Sequence, residues 1–316
     1  MFFDQTAKIL ITGASGMLGS ALVRHLSNYQ NLTILQPSRR ELNLTDLDSV
    51  NTYFSNNRPD YVFMLAAKVG GIGSNKSDPV GYLVENARME INLFEACNRY
   101  QTKKNLFAGS SCIYPRSCPQ PMREDFLMSG PLEPTNEGYA IAKIVGLKLA
   151  KYYHDQYGML TICPMICNIY GTNDNYDLKT SHVLSALIRR FIDAKDNGDL
   201  CVKLWGSGNA KREFIHVDDA ARGLIFLMAN IESPEIVNLG SGQDISIHDL
   251  ALLVASKTFY AGKISWDKTK TDGMPRKCLN IDKITNIGFE SKINLSIGID
   301  QSIAEYNQLR MKGLLK

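Results

Sequence analysis

Short apolar segments alternate with longer helix-like segments along the first half of the chain. Apolar runs at 8–12, 32–35, 61–65, 105–108 and 160–165 are each followed by a segment with helical periodicity. Strands covered by helices on both faces show continuous apolar runs rather than a period of two. The alternation predicts βαβ units and a parallel sheet. We therefore expect an α/β fold with a Rossmann-type doubly wound sheet.

The pattern changes after Gly171. The segment "GTNDNYDLKTSH" has the composition of a loop, a helix is predicted over 183–195, and "REFIHVDDAARGLIFLMAN" predicts a strand followed by a helix capped near Asp218 or Asp219. That second strand and helix suggest that the chain returns to the first sheet. The predicted division is a dinucleotide-binding domain at 1–170, joined again by 214–238 and optionally by the C-terminal helix at 295–311, and a smaller C-terminal substrate-binding domain at 171–213 and 239–285.

Charge, cysteine spacing and hydropathy exclude several classes of protein. The net charge is +3 in a chain of 316 residues, too small to favour nucleic acid or an anionic membrane as the main partner. Seven cysteines without a CxxC pair favour neither a disulfide framework nor a zinc site. No apolar run reaches the roughly 18 residues of a membrane span. We expect a soluble, unprocessed, cytoplasmic protein without a bound metal.

A glycine-rich turn follows the first predicted strand. In "KILITGASGMLGSALVRHL", Gly13, Gly16 and Gly19 are spaced G-x-x-G-x-x-G and lead into a helix. Glycines permit a tight turn and close backbone approach, and the start of the helix presents unpaired N–H groups to a pyrophosphate. The alternative is a glycine-rich packing turn. The strand and helix on either side favour a dinucleotide site, whose predicted contacts are Gly13, Ser15, Gly16, Met17, Leu18 and Gly19.

The end of the second strand indicates which dinucleotide binds. An acidic residue there would hold the ribose hydroxyls of NAD, but this chain has Gln36, followed by Arg39 and Arg40. Guanidinium groups suit a 2′-phosphate, so NADPH is predicted. The alternative is that both arginines are solvated loop residues.

A tyrosine and a lysine four residues apart provide candidate chemistry. Tyr139 and Lys143 fall on one face of a predicted helix, and Ser110 ends an earlier strand. A neighbouring ammonium would move the pKa of a phenol down from about 10, so that the phenol could exchange a proton. Tyr-x-x-x-Lys alone usually marks a solvated helix face. The order of phosphate loop, serine strand and tyrosine helix points instead to hydride transfer.

Several further segments resemble one known family. The segments are "GASGMLGSAL", "AAKVGGI", "GSSCIYP", "EPTNEGYAIAKIVG", "NIYGTNDN", "SHVLSALIRRF", "WGSG", "REFIHVDD" and "DGMPRK". Together they resemble the extended short-chain dehydrogenase/reductases that act on nucleotide sugars, and most closely the GDP-L-fucose synthase family. The resemblance implies NADPH-dependent C4 reduction of a GDP-4-keto sugar, with C3/C5 epimerisation of GDP-4-keto-6-deoxy-D-mannose to GDP-L-fucose. It also implies a place in capsule or polysaccharide biosynthesis and, by analogy only, a homodimer.

The resemblance assigns roles to individual residues. Ser110, Tyr139 and Lys143 become the reductase set, with Tyr139 as proton donor to the C4 oxygen. Cys112 and His182 become the epimerase pair. Contacts to the cofactor include Ala66, Ala67, Lys143 and Asn168, and contacts to the GDP-sugar fall on Arg190, Trp205, Arg212, Asp272 and Lys277.

The thiol has a chemical reason to stand beside the serine. A C4 ketone acidifies the hydrogens on C3 and C5, so inversion needs a base and an acid on opposite faces of the ring. Thiol and imidazole pKa values near 8.5 and 6.5 suit that proton traffic. Alternation along an extended strand would send Ser110 and Cys112 to the same face. The alternatives are a cysteine buried as inert packing and a histidine that caps a helix or lies at the surface.

One segment departs from the family pattern. In "CPMICNIYG", Ile166 and Cys167 stand where Pro-Thr is commoner. A reshaped sugar pocket keeps open a second reading, a C4 reductase of a GDP-4-keto-heptose without epimerisation. A third reading, a non-catalytic NADPH-binding scaffold, conflicts with the retained Tyr139 and Lys143.

Overall fold

The structure is a computed structural model that describes residues 3–4, 6–270 and 272–315. Its strands are β1 (Lys8–Thr12), β2 (Thr33–Leu35), β3 (Tyr61–Met64), β4 (Lys104–Phe107), β5 (Gly109–Ser110), β6 (Thr161–Ile166), β7 (Asn168–Tyr170), β8 (Cys201–Trp205), β9 (Lys211–His216), β10 (Ile236–Leu239), β11 (Asp244–Ser246), β12 (Lys263–Asp267) and β13 (Arg276–Lys277).

The helices alternate with these strands over the first half of the chain. They are α1 (Met17–Leu26), α2 (Leu47–Asn57), α3 (Ile72–Ser77), α4 (Pro79–Arg99), α5 (Glu137–Tyr157), α6 (Val183–Asn197), α7 (Val217–Asn230), α8 (Ile247–Lys257), α9 (Asp282–Asn286) and α10 (Leu295–Met311).

A parallel sheet forms the centre of the first unit. Its spatial order is β2-β1-β3-β4-β6-β10, and β5 pairs alongside the end of β6. Residues of β3, β4 and β6 are buried throughout, because helices cover both faces of the sheet. The predicted parallel α/β sheet is therefore confirmed. Strand order reverses between β1 and β3, and ligands bind at such a switch point, beyond the carboxyl ends of the strands.

The chain returns to this sheet through β9, α7 and β10. Helix α7 packs against α1, and β10 adds to the edge of the sheet by pairing with β6, with Val237 opposite Pro164. Val217, Leu224 and Leu227 of α7 belong to the same apolar core as Leu22 of α1. These contacts place α7 and β10 with the first unit, whereas β9 pairs with β11 and β13 and its Phe214 lies in the second core, so the boundary at 214 stays a prediction.

A second apolar core lies beneath the remaining elements. Phe191 of α6, Val254 of α8 and Tyr306 of α10 are buried together there, beside the β8–β12 pair and the sheet β11-β9-β13. Helix α10 packs against α6, α8 and β9. The structure thus places the C-terminal helix with the second core, and this corrects the optional return of 295–311 to the first domain. Its buried face is met by α6 and α8.

Three further features concern the described residues. All seven cysteines are free thiols. No helix in the described ranges combines the length and the apolar character needed to cross a bilayer. Within the same ranges, no group of three or more His, Cys, Asp or Glu side chains is arranged to hold a metal ion.

Candidate active site

One cleft of about 950 Å³ runs from the phosphate loop to the second unit. It opens at the carboxyl ends of β1, β3 and β5, where a doubly wound sheet binds its ligands. Both of its walls carry residues predicted from the sequence. The predicted residues that line it are Gly13, Ser15, Gly16, Met17, Leu18, Gly19, Arg39, Ala66, Ala67, Ser110, Cys112, Tyr139, Lys143, Asn168, His182, Arg212 and Lys277.

The glycine turn is shaped for close approach of backbone to backbone. Gly13 has φ +71°, and a Cβ built there would lie 3.0 Å from the backbone of Ala66. A Cβ on Gly19 would lie 2.2 Å from the Gly13 carbonyl oxygen, so α1 can start this close to β1 only with glycine. Gly16 caps α1 without a side chain. The N–H groups at the start of α1 are left facing the cleft, as a pyrophosphate site requires.

The two arginines beyond β2 lie in different places. Arg39 lines the cleft, whereas Arg40 and Gln36 do not. Both arginines are exposed. The structure therefore brings one guanidinium, that of Arg39, to the predicted position of a 2′-phosphate, and leaves Arg40 outside the lining of the cleft.

Tyr139 and Lys143 lie on the first two turns of α5 and both reach the cleft. The Lys143 Nζ is 6.0 Å from the centroid of the Tyr139 ring and 4.5 Å from that of Phe107. It also lies 3.3 Å from a carboxylate oxygen of Glu90, on α4. Both ends of this ion pair are almost fully buried between α4 and α5. A buried ammonium needs such a counter-charge.

The ionisation of Tyr139 differs from the sequence expectation. Burial raises the pKa of the phenol, the charges of Cys112 and Glu90 raise it further, and a hydrogen bond from Ser110 opposes them. The sequence predicted that Lys143 lowers the pKa of Tyr139, and the structure corrects this, because burial dominates and the charges of Cys112 and Glu90 act in the same direction. Burial also raises the pKa of Glu90 to about 7, against the lowering effect of Lys143. Tyr139 is therefore protonated at neutral pH, the state that a proton donor needs.

Ser110 and Cys112 reach the cleft by a different geometry from the predicted one. Ser110 ends β5, but 111–113 form a single 3-10 turn and do not continue the strand. The Ser110 Oγ caps that turn by accepting a hydrogen bond from the Cys112 backbone N–H at 3.2 Å. The turn, rather than strand alternation, turns both side chains toward the cleft.

The Cys112 thiol faces two cations. The Lys277 Nζ donates a hydrogen bond to the Cys112 Sγ at 3.0 Å. Burial acts to raise the pKa of this thiol, but Lys277, Ser110 and Arg212 together bring it below its usual value. Lys277 and Arg212 are side by side because β13 pairs with β9 in that register. The sulfur is thus in the cleft and electrostatically activated, rather than walled off by hydrocarbon.

His182 stands at the N-terminus of α6, as its cap residue, and lines the same cleft. His182 is exposed on the side that faces the cleft. Desolvation where the imidazole packs against the protein lowers the pKa of His182, and the charge of Lys277 lowers it further. The imidazole is therefore mainly neutral near pH 7. Thiol and imidazole come from different units of the fold and meet at one cavity.

Three residues predicted at the nucleotide end lie outside the lining of the cleft. Arg190 points to solvent from α6, while its neighbour Arg189 donates to the Tyr176 carbonyl at 3.0 Å. Trp205 is 57% exposed, with the Lys270 Nζ 5.8 Å from its ring centroid. The Asp272 carboxylate accepts hydrogen bonds from the Ser207 N–H at 2.7 Å and from the Ser207 hydroxyl at 2.5 Å. Asp272 thus shapes the loop, and Arg212 and Lys277 are the cations that reach the cavity.

The segment "CPMICNIYG", which departs from the family pattern, forms part of the cleft wall. Ile166, Cys167 and Asn168 all line it. The Asn168 side chain donates to the Glu213 carbonyl at 2.7 Å, so its amide joins β7 to β9. Asn168 therefore reaches the cleft beside Ile166 and Cys167 with its amide already engaged.

Sequence reasoning missed two acidic residues and one contact. Glu90 carries no local motif, since only the packing of α4 on α5 brings it to Lys143. Glu213 is buried and accepts hydrogen bonds from the Gly242 and Leu279 backbone N–H groups, both at 2.7 Å. Lys277 was predicted as a substrate contact, and its contact with the Cys112 thiol depends on the pairing of β13. A run such as "DGMPRK" cannot reveal that contact.

A phosphate-binding βαβ unit followed by a Ser–Tyr–Lys set defines a nucleotide-binding oxidoreductase of the short-chain type. The family model described as "NAD dependent epimerase/dehydratase family" matches residues 9–240. "GDP-L-fucose synthase 1" from Arabidopsis thaliana is 43% identical over 303 residues, covering 96% of this chain and 94% of that protein.

Two solved structures extend the comparison. A GDP-6-OMe-4-keto-L-xylo-heptose reductase from C. jejuni matches with a TM-score of 0.92 at 28% identity, covering 99% of this chain and 100% of that one. The GDP-mannoheptose C4 reductase from Campylobacter jejuni, solved with NADP bound, matches with a TM-score of 0.86 at 31% identity, covering 96% of this chain and 99% of that one. The chain belongs to the NAD dependent epimerase/dehydratase family and, within it, to the GDP-L-fucose synthase group.

Proposed function

We propose that the protein is an NADPH-dependent C4 reductase of a GDP-4-keto sugar that also epimerises C3 and C5, converting GDP-4-keto-6-deoxy-D-mannose to GDP-L-fucose. One observation carries the proposal. A single cleft is lined by the phosphate loop, by Ser110, Tyr139 and Lys143, and by Cys112 and His182. Cofactor, reduction chemistry and proton-exchange chemistry thus share one cavity.

The residues of the phosphate loop fit a dinucleotide. The space that a Cβ on Gly13 or Gly19 would fill is already occupied by backbone, and this keeps α1 close to β1. We assign the pyrophosphate to the N–H groups around Gly16 and the 2′-phosphate to Arg39. NADPH, when bound, supplies the hydride. Ala66 and Ala67 border its site across the switch point.

The reduction needs a proton donor beside the ketone. Tyr139 is held in its protonated form by burial, and Ser110 interacts with it. As hydride reaches C4, the C=O π electrons move to the oxygen, which takes the Tyr139 proton, so that the ketone becomes an alcohol. Lys143, held by Glu90, is positioned to bind the ribose of the dinucleotide. Its positive charge also stabilises the phenolate that Tyr139 becomes once it has given up its proton.

The epimerisation needs a base and an acid on opposite faces of the ring. The Cys112 thiolate removes the proton on C3 or C5, and the electron pair of that C–H bond passes to the C4 oxygen as an enolate. Protonated His182 then gives its proton to the other face of the same carbon, which inverts it. Lys277 and Arg212 lie where they stabilise the Cys112 thiolate.

The nucleotide end remains a set of predictions. Arg212 and Lys277 line the cleft, and we assign Arg212 to the diphosphate. Arg190, Trp205 and Asp272 stay predictions as contacts to the guanine nucleotide. Homodimer assembly, a cytoplasmic location and a role in capsule or polysaccharide biosynthesis also stay predictions.

The proposal is tested by incubating the protein with GDP-4-keto-6-deoxy-D-mannose and NADPH. We expect NADPH absorbance to fall in proportion to the sugar consumed, with GDP-L-fucose as the product. No loss of NADPH absorbance with this substrate would contradict the hexose assignment.

A second candidate is reduction of a GDP-4-keto-heptose without epimerisation. It is favoured by the similarity to the heptose reductases and by Ile166 and Cys167 in the cleft wall. Both candidate substrates should be reduced in deuterated water. Turnover of the heptose alone, with no deuterium at C3 and C5, would favour the second candidate over the first.

A further inference from the structure

Lys277 is a nearly buried cation whose ammonium donates a hydrogen bond to the thiol of Cys112. Only 9% of its surface is exposed, and its Nζ lies 3.0 Å from the Cys112 Sγ. Among the described residues, the ion pairs of this segment are Arg276 with Asp244 and Lys283 with Glu235, and no carboxylate pairs with Lys277. A buried ammonium is costly unless an anion or strong acceptor stands beside it. The acceptor beside the Lys277 ammonium is the sulfur of Cys112, and a thiolate there would meet this need.

The surrounding fold holds Lys277 at that position. β13 places it opposite Arg212 of β9. The residues that follow are tied to the first unit, since the Cys278 N–H donates to the Gln120 side chain at 3.0 Å and the Met122 N–H donates to the Cys278 carbonyl at 2.7 Å. The Glu213 carboxylate accepts from the Leu279 N–H. The backbone on both sides of Lys277 is thus fixed, and its side chain extends from this fixed strand to the Cys112 sulfur.

We propose that Lys277 is a positioning residue for epimerisation, which holds Cys112 as a thiolate and makes it the base, and that the GDP diphosphate is bound by other cations. This inference rests on the proposed function for the identity of the reaction, but its ion pair is a property of the protein without substrate. In this arrangement Lys277 acts only through the sulfur. Reduction, which uses Tyr139, does not require it.

The other groups that face Cys112 are Ser110 and Tyr139 from the first unit and Arg212 and His182 from the second. Ser110 is neutral and is present in every variant below. Arg212 adds positive charge, and its guanidinium donates to the Lys211 and Asp272 carbonyls at 2.8 and 3.2 Å. Tyr139 stays protonated and His182 neutral near pH 7, so neither supplies the counter-charge. Lys277 is thus the cation in hydrogen-bonding contact with the sulfur.

The test is the pH profile of Cys112 alkylation by iodoacetamide in the protein without substrate, followed by mass spectrometry of the peptide that carries residue 112. We expect a midpoint below that of the exposed Cys201 in the same sample. Lys277→Met should raise the Cys112 midpoint by at least about one pH unit, which is about tenfold in rate near neutrality. Lys277→Arg should keep the Cys112 midpoint close to its low wild-type value. Lys211→Met, an exposed lysine on β9, is the matched control and should change nothing.

Function is measured on the same variants with GDP-4-keto-6-deoxy-D-mannose in deuterated water. Lys277→Met should lose about tenfold or more of the deuterium incorporation at C3 and C5 relative to NADPH oxidation. An unchanged alkylation profile together with a raised KM would overturn the inference and return Lys277 to the diphosphate. If Lys277→Met does not fold, the wild-type comparison of Cys112 with Cys201 decides alone, and a Cys112 midpoint at or above that of Cys201 overturns the inference. A wild-type protein that does not turn over this sugar refutes the proposed function and leaves the alkylation result standing.

Discussion

The two sides of the cleft are built in different ways. Ser110, Tyr139 and Lys143 belong to β5 and α5 of the first unit, and Glu90 of α4 fixes the lysine from behind. The proton-exchange side instead gathers Cys112 from a 3-10 turn, His182 from the start of α6 and Lys277 from β13. One core therefore sets the geometry of reduction. The geometry of exchange depends on how two units meet.

The electrostatics of the two sides also differ. On the reduction side, Glu90 lies 3.3 Å from the Lys143 ammonium, and burial keeps the proton on the Tyr139 phenol. On the exchange side, Lys277 and Arg212 face the thiol and favour negative charge there. Under the proposed function, the reduction side keeps its acid neutral and the exchange side favours an anionic base, whereas the lowered pKa of His182 limits the imidazolium that exchange also needs.

The largest expected effect comes from a variant on the reduction side, which should slow reduction and leave proton exchange intact. Tyr139→Phe removes the proton donor, so NADPH oxidation with a GDP-4-keto sugar should fall about 10²-fold to 10⁴-fold. Deuterium exchange at C3 and C5 of the unreduced sugar should persist. The fall in NADPH absorbance measures reduction, and NMR of the sugar measures deuterium exchange. Full reductase activity in this variant would mean that another group donates the proton.

The reciprocal variant is Cys112→Ser. A serine hydroxyl is far less acidic than a thiol, so deuterium incorporation at C3 and C5 should fall about 100-fold or more. NADPH oxidation should continue and give a C4 alcohol without inversion. Cys118→Ser is the control, because that half-buried thiol is not part of the cleft lining. Exchange at the wild-type rate in Cys112→Ser would break the assignment of the base.

A third prediction concerns the support behind Lys143. Glu90→Gln leaves the buried ammonium without its counter-charge and should slow NADPH oxidation about 10-fold to 100-fold through misplacement of Lys143. Glu95→Gln, which removes an exposed partner of Arg99 on the same helix, is the matched control and should have no effect. A wild-type rate in Glu90→Gln would show that Lys143 needs no partner on α4.

Glu90 also predicts how stability changes with pH. Its pKa in the folded protein, about 7, is above that of an ordinary glutamate. The folded state therefore binds the proton more tightly than the unfolded state, and this contribution to the free energy of unfolding is lost as pH rises from about 4.5 to about 7. Chemical denaturation at several pH values should show that the free energy of unfolding declines less steeply with pH in Glu90→Gln than in the wild type. An identical decline in both proteins would exclude Glu90 as its source.

The smallest effect is a pH dependence of exchange relative to reduction. The exchange step needs Cys112 as thiolate and His182 as imidazolium, while Lys277 and Arg212 face the thiol and Ser110 and Tyr139 lie beside it. Because the pKa of His182 is lowered, the imidazolium is lost as pH rises through that value. Because the pKa of Cys112 is also lowered, the thiolate is retained toward acid pH. The ratio of deuterium incorporation to NADPH oxidation should therefore fall severalfold from weakly acidic to alkaline pH, and a rising ratio would contradict these roles.

The contrast between the reduction side and the exchange side also explains which features could be predicted from the sequence. Strand periodicity and the Gly13–Gly16–Gly19 spacing are local signals, and the sheet, the switch point and the phosphate loop were predicted from them. The reductase set follows the order of these elements along the chain. The contact of Lys277 with Cys112 joins residues 165 apart and depends on strand pairing, which periodicity does not encode. The Glu90–Lys143 pair depends on side-by-side packing of α4 and α5, and a lone glutamate in a helix gives no sign of it.

The errors have physical reasons as well. Strand alternation was expected to carry Cys112, but the chain leaves the strand at Ser110 and forms a turn. The pKa of Tyr139 was expected to fall because Lys143 is near, and the sequence could not reveal how deeply the phenol is buried beside Cys112 and Glu90. Arg190 stays a prediction as a substrate contact; it faces solvent because the apolar side of α6 packs on the second core.

The central claim is that one cleft performs two separable reactions, and exchange in the absence of hydride tests it most directly. The wild-type protein is incubated with NADP⁺ and GDP-4-keto-6-deoxy-D-mannose in deuterated water, and the sugar is followed by NMR. We predict deuterium at C3 and C5 of a sugar that keeps its C4 ketone. A sugar that remains fully protonated at both carbons here, yet is reduced when NADPH is supplied, would contradict the claim.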